Sequence, residues 1–192
     1  MNVQKWLEEI RTSPVKKPMP ILSFPSVQLL GCTVQELVND SSLQAKGMKA
    51  VADRTNACAA VSMMDLSVEA QAFGAEARIT DDEVPTIVNH IVETQEEADA
   101  LVVPEVGAGR TGIYVEAIRQ AKTLINDRPV LAGVIGPFSL AGRLMGVSDA
   151  MIYCYDDSDM VHTVLKKATQ FLISYIRAFR DAGADGVMMA EP

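Results

Sequence analysis

An α/β fold, an arc of parallel strands each followed by helix, is the class this sequence predicts, and three observations carry it. Short apolar runs near 19–24, 59–64, 130–135 and 186–190 alternate with longer segments of helical periodicity. Parallel neighbours need a crossover connection, which those helical segments supply. The runs stay apolar along their length, with glycine interruptions, as strands covered on both faces do. The 192 residues fit a single domain, 1–192. Roughly four parallel strands are half of a (β/α)8 TIM barrel, a fold of about 250 residues.

The elements follow in order. Residues 2–12 place Val3, Trp6, Leu7 and Ile10 on one helical face. The apolar run Met19 to Phe24 is bracketed by prolines and reads as the first strand. Two helices follow at 33–40 and 41–56, the first opened by Thr33 and Glu36 at capping-box spacing. The run 57–65 is a buried strand closed by Asp65, and 67–74 a helical turn ended by Gly74. β-rich residues on either side of "TDDE" at 80–83 predict a hairpin insertion with a loop of three to five residues. Short helices are expected after Thr94 and over 113–125. A strand spans 130–135, and a helical turn follows Gly136-Pro137. Val161, Val164, Leu165, Ala168, Phe171, Leu172, Tyr175, Ile176 and Phe179 recur at three- and four-residue steps. They predict an amphipathic helix of about six turns, capped by Asp157 or Ser158 and stopped by Gly183.

Composition excludes several function classes. Hydrophobic residues make up 48% and charged residues 22%, as in soluble globular chains. The net charge of -8, with no basic run longer than two, argues against a nucleic-acid surface. No segment reads as a signal peptide or a membrane span. Three widely separated cysteines suit a reducing cytoplasm, the expected location. Cys58 and Cys154 read as buried small residues, and the ten methionines as core filler.

Residues 106–112, "VGAGRTG", spell G-x-G-x-x-G. A dinucleotide fingerprint should follow the first strand of a βαβ unit at once, with an acid about twenty positions on. Here Pro104 interrupts the preceding apolar residues, and Asp127, at a comparable distance, lies in a turn. The glycines read as a loop leading into a helix.

Three segments carry a family resemblance: "MMDLSVEAQAFGAEA", "GVIGPFSLAGRLMG" and "AGADGVMMAEP", in that order. The chain resembles the uroporphyrinogen decarboxylase superfamily, and more closely its corrinoid-dependent branch of the methylcobamide:coenzyme M methyltransferase type. The resemblance implies the N-terminal half of a (β/α)8 barrel. It implies transfer of a methyl group from a corrinoid carrier protein to a small thiol activated by zinc. Zinc and corrinoid are thus implied for the whole enzyme, with neither bound within this chain: His90 and His162 stand apart from any cysteine at metal-ligand spacing. Tetrapyrrole decarboxylation is the alternative. It is disfavoured because "SFPSVQLLG" holds no arginine and the family's tyrosine falls at Arg143. A further alternative is an inert half-barrel that pairs with another copy or with the missing half, making a homo-oligomer the expected state.

Site residues follow from strand-end positions and from the resemblance. Asp65 and Glu191 end strands at the barrel mouth and are the catalytic candidates. The resemblance gives Asp65 the role of facing pyrrole nitrogens and a cationic intermediate; it could equally cap the helix after it. Glu69 lies one turn on, either facing the pocket or on a solvated helix face. Ser23 and Phe24 close the first strand. Gly136, Pro137, Phe138 and Ser139 set a turn and could line the cavity. Arg143 could reach an anionic group or lie exposed on its helix.

Overall fold

The N-terminal helix is tied to the start of the first strand by the indole of Trp6. In the computed structural model, which describes residues 2–21 and 24–191, α1 (Val3–Thr12) is capped by Asn2. The Trp6 indole N–H donates to the Cys58 carbonyl at 3.0 Å. Then come α2 (Ser26–Leu30), α3 (Val34–Asn39) and α4 (Ser41–Arg54). The Thr33–Glu36 capping box forms as expected, satisfying backbone donors that a helix start leaves free.

Strand β1 (Ala60–Val61) leads through α5 (Val68–Ala72) to the hairpin β2 (Ala77–Arg78) and β3 (Thr86–Ile87). Helices α6 (Gln95–Ala100) and α7 (Thr111–Leu124) carry the chain to β4 (Val130–Ile135). Beyond it lie α8 (Pro137–Met145), α9 (Val147–Asp156), α10 (Ser158–Asp181) and β5 (Gly186–Ala190). Among the described residues, β1, β4 and β5 form a parallel sheet in that order, with Ala60 beside Val130 and Ile135 beside Ala190. Parallel strands crossed over by helices and wrapped in an arc are a partial TIM barrel; no closed barrel forms among these residues.

Burial grades across the sheet. Every residue of β4 is buried, whereas β5 is only partly covered and its Met189 is 46% exposed. Ala59, Val61 and Leu131 make a small second cluster with Trp6, Met19 and Met188, apart from the main core. That main core lies between sheet and helices. Its spine is the predicted long helix, α10, whose Phe171, Tyr175 and Phe179 stack in series at 5.5 and 4.4 Å. None of the described helices is long and apolar enough to cross a membrane.

Several expectations need correction. Of the expected strand 19–24, residues 19–21 have no ladder partner and Phe24 sits in a turn before α2; Leu22 and Ser23 lie outside the described residues. The run 59–64 contributes only Ala60–Val61 to the ladder. The hairpin connection spans 79–85, longer than expected. Within it the Glu83 N–H donates to Thr80 Oγ1 (3.2 Å), making a turn of its own, and Asp81 O accepts from Val34 N–H (2.8 Å). Helix α9 was not foreseen. It buries Ala150 while Val147, Met151, Ile152 and Tyr155 face solvent, so its apolar residues do not mark a core-facing side. Cys154, on that helix, is exposed, and Cys58 is half-buried.

Candidate functional site

The C-terminal ends of β1, β4 and β5 gather most of the residues singled out from sequence. Asp65, just past β1, is fully enclosed. Its Oδ1 accepts the Ser67 N–H (3.1 Å) and the Ser67 hydroxyl (2.6 Å). Its Oδ2 accepts Arg110 Nη1–H (2.5 Å) and the Tyr114 hydroxyl (2.7 Å). A carboxylate offers about four acceptor positions, and here all four are taken. The side chains of Asp65 and Arg110 are 0% and 5% exposed, so the pair is a buried, charge-assisted one. Arg110 spends its other donors on Ser67 Oγ (2.7 Å) and Gln71 Oε1 (2.8 Å). Burial, reinforced by the Asp65 charge, pushes the Tyr114 phenol well above its ordinary range, so it remains a donor.

Arg110 belongs to the glycine-rich segment, and its position explains that segment. Gly107 and Gly109 have φ of +113° and +54°, and a Cβ on Gly109 would press on Ala72 N and Gln71 Cγ at 3.4 Å. The loop therefore lies tight against α5 and delivers Arg110 to Asp65. It is a loop, as read from sequence, with an arginine as its business end.

Glu69 corrects the expectation of a solvated helix face: it is 3% exposed. Its Oε1 accepts the N–H of Ile135, the last residue of β4, at 3.1 Å. Its Oε2 is buried and has no hydrogen-bond partner among the described residues. Burial raises its pKa from 4.5 to about 7, the Ile135 N–H and Arg110 pulling down and Asp65 pushing up.

Glu191 closes the neighbouring corner. Its two oxygens accept the N–H groups of Phe138 (2.8 Å) and Ser139 (3.0 Å), at the start of α8, where a helix favours an anion. A Cβ on Gly136 would collide with that carboxylate, which accounts for glycine there. Gly136→Ala should push Glu191 away and lower stability by about 1–2 kcal/mol. Glu191→Gln added to it should then cost little more, as a two-variant urea unfolding cycle would show.

Arg143, on α8, donates from Nε to the Leu66 carbonyl at 2.8 Å. Phe24 is buried in the main core rather than on an open wall, and Ser23 lies outside the described residues. Eight of the ten predicted site residues thus meet at one end of the sheet: Asp65, Glu69, Gly136, Pro137, Phe138, Ser139, Arg143 and Glu191. Sequence reading missed Arg110, Ser67, Gln71 and Tyr114. One signal was available: an acid ending an apolar strand needs a buried cation nearby. A cleft of about 380 Å³ at the other end, between α1 and Pro129, holds Trp6, Lys16 and Arg128 and lies far from these strand ends.

Helices over a partial parallel barrel, with polar residues collected at the strand C-termini, define the (β/α)8 class of fold. Residues 19–191 match the uroporphyrinogen decarboxylase (URO-D) family, and the chain belongs to it. It is 28% identical over 131 residues to the methylcobamide:CoM methyltransferase MtbA of Methanosarcina acetivorans, covering 67% of this chain and 38% of that protein. It is also 28% identical over 138 residues to the uroporphyrinogen decarboxylase of Flavobacterium johnsoniae, covering 68% and 40%. The solved structure of a methyltransferase from Methanosarcina mazei superposes with a TM-score of 0.83 at 24% identity, over 99% of this chain and 59% of that one. The chain spans about two fifths of the length of these curated relatives.

Proposed function

We propose that this chain is the N-terminal half of a cytoplasmic (β/α)8 methyltransferase that moves a methyl group from a corrinoid carrier protein to a small thiol. The observation that carries this reading over decarboxylation is the saturation of Asp65. A decarboxylase of this family needs that carboxylate open to the pyrrole nitrogens. Here Ser67, Arg110 and Tyr114 occupy both oxygens. The described part of "SFPSVQLLG" also offers no cation for a substrate rich in carboxylates. Similarity to methylcobamide:CoM methyltransferases supports the same choice.

In this proposal Asp65 is a positioning residue that holds Arg110 and, through Ser67, the chain entering α5. Glu191 fixes the Gly136–Ser139 turn, which shapes the mouth, and Glu69 joins α5 to the end of β4. Zinc, which would supply thiol activation in the family, does not fit these residues. Among the described residues no group of three or more His, Cys, Asp or Glu could hold a metal ion.

The test supplies methylcobalamin and a thiol to this chain joined with the rest of its barrel, and quantifies thioether formed. Thioether in amounts matching the methyl group lost is the expected result. Coproporphyrinogen formed from uroporphyrinogen, without thioether, would replace the proposal with the decarboxylase reading. A second reading rests on the half-covered β5 and its exposed Met189: the chain by itself is an inert half that pairs with another chain over this face. Light scattering should then give at least a dimer mass; a stable monomer at low concentration would count against it.

A further inference from the structure

A second cleft, of about 270 Å³, opens between the hairpin and the start of α9. Ser67, Thr86, His90 and Arg143 supply its polar lining, and Ile87 and Val147 part of its apolar wall. Arg143 is half-buried, and its Nε is fixed on the Leu66 carbonyl. Its remaining guanidinium N–H groups have no acceptor and no carboxylate among the described residues. The other arginines with comparable or deeper burial do: Arg110 pairs with Asp65, and Arg128 with Asp53 and Asp127.

The lack of a counter-charge is not for want of acids, since the chain carries 25 of them. Asp149 lies near. Its Oδ2 and the His90 ring both crowd Gly146, each 2.7 Å from where a Cβ would stand, yet Asp149 makes no ion pair with Arg143. A guanidinium withdrawn partly from water, oriented by one bond and lacking an anion, is preorganised for an oxyanion. The Thr86 hydroxyl and the His90 imidazole add donors that need no charge.

We infer that this cleft is an oxyanion-binding subsite, in which Arg143 supplies the fork and Thr86 and His90 the flanking donors. Its ligand is the carboxylate, sulfonate or phosphate of a small molecule. The floor of the cleft is Ser67, whose hydroxyl sits between Asp65 and Arg110, so an anion held here lies next to the buried ion pair. The inference deepens the substrate-site reading of Arg143, but it needs no methyl transfer to be true.

The experiment is therefore a binding measurement. Titrating the chain with sulfate, phosphate and acetate at constant ionic strength, with chloride as balance, should give saturable binding by heat or by chemical shifts of the His90 and Arg143 side chains. Arg143→Gln should weaken it at least tenfold, and Arg143→Lys less, because the point charge stays while the fork is lost. Because Arg143 also anchors Leu66, His90→Ala serves as the variant that leaves that anchor intact, with an expected loss of threefold or more. Tighter sulfate and phosphate binding than acetate assigns a tetrahedral oxyanion, and the reverse order a carboxylate. Binding equal in wild type, Arg143→Gln and His90→Ala, or no saturable binding of any of the three anions, would overturn the inference. Thioether formation unaccompanied by anion binding would leave the methyltransferase reading standing and remove this one.

Discussion

Replacing Arg110 with methionine is expected to destabilise the fold by about 3–5 kcal/mol, the scale for leaving a buried charge uncompensated. Arg110 Nη1 and Nη2 supply Asp65 Oδ2 and Ser67 Oγ, and Nε supplies Gln71. Methionine fills the volume and removes all three. Asp65 is left with its charge, at 0% side-chain exposure, facing Ser67 and Tyr114 alone. Arg110→Lys should recover only part of the loss, because one ammonium cannot serve three acceptors in the geometry of a planar fork. Whole domains have only about 5–15 kcal/mol in hand, so the single variant can fail to fold. Arg110→Met combined with Asp65→Asn removes the orphaned charge and should regain a large part of the stability. Urea unfolding of the four-member cycle reads the coupling directly. If Arg110→Met alone costs under about 1 kcal/mol, the ion pair is not what holds the loop to α5.

That pair also shows where sequence reading reached and where it stopped. Much of the strand and helix order, though not the expected first strand or helices α2 and α9, was legible because periodicity is local. The buried run Val130 to Ile135 and the stripe from Val161 to Phe179 became β4 and α10. Capping at Thr33 was legible for the same reason. Helix α9 was not foreseen: it is short, and apolar Ile152, Tyr153 and Tyr155 lie outside the set Val147, Ala150, Met151 and Cys154, which blurs the contrast between its faces. At the site, strand-end position and the family resemblance pointed to Asp65, Gly136 and Glu191, with Glu69 one turn on, and the structure brings these four to one end of the sheet. It could not give their partners, since Arg110 is 45 residues from Asp65, and Glu191 is 53 from Phe138. The same limit explains Glu69. One turn past a strand end, a glutamate is solvated or buried according to how a distant strand packs, and here the strand is β4.

Glu69→Gln should make the protein more stable at pH 8.5 and leave it nearly unchanged at pH 5. In the folded chain Glu69 has its pKa raised from 4.5 to about 7, mainly by burial. The folded state thus holds this proton more tightly than the unfolded state does. The resulting stability is fully present below the ordinary glutamate pKa and is lost as pH rises through about 7. With each pKa unit worth about 1.4 kcal/mol, the loss across that window is roughly 3 kcal/mol. The groups that face it give no relief. Asp65 carries a like charge, Arg110 is already committed to Asp65, and the phenols of Tyr114 and Tyr175 are held neutral by burial. Glutamine retains an oxygen for the Ile135 N–H and never ionises. Urea unfolding of both proteins at pH 5 and pH 8.5 isolates the effect, since all other titrating groups are shared. A difference that stays flat across this range would mean that Glu69 does not lose its proton there. A difference that opens between about pH 4.5 and 7 and levels off above it would mean that Glu69 ionises in the folded chain only near neutrality, leaving there a buried charge whose one donor is the N–H of Ile135, one residue before the Gly136–Pro137 turn at the mouth. The geometry of that turn would then respond to pH through Glu69 and not through Glu191, whose carboxylate is already met by two N–H donors.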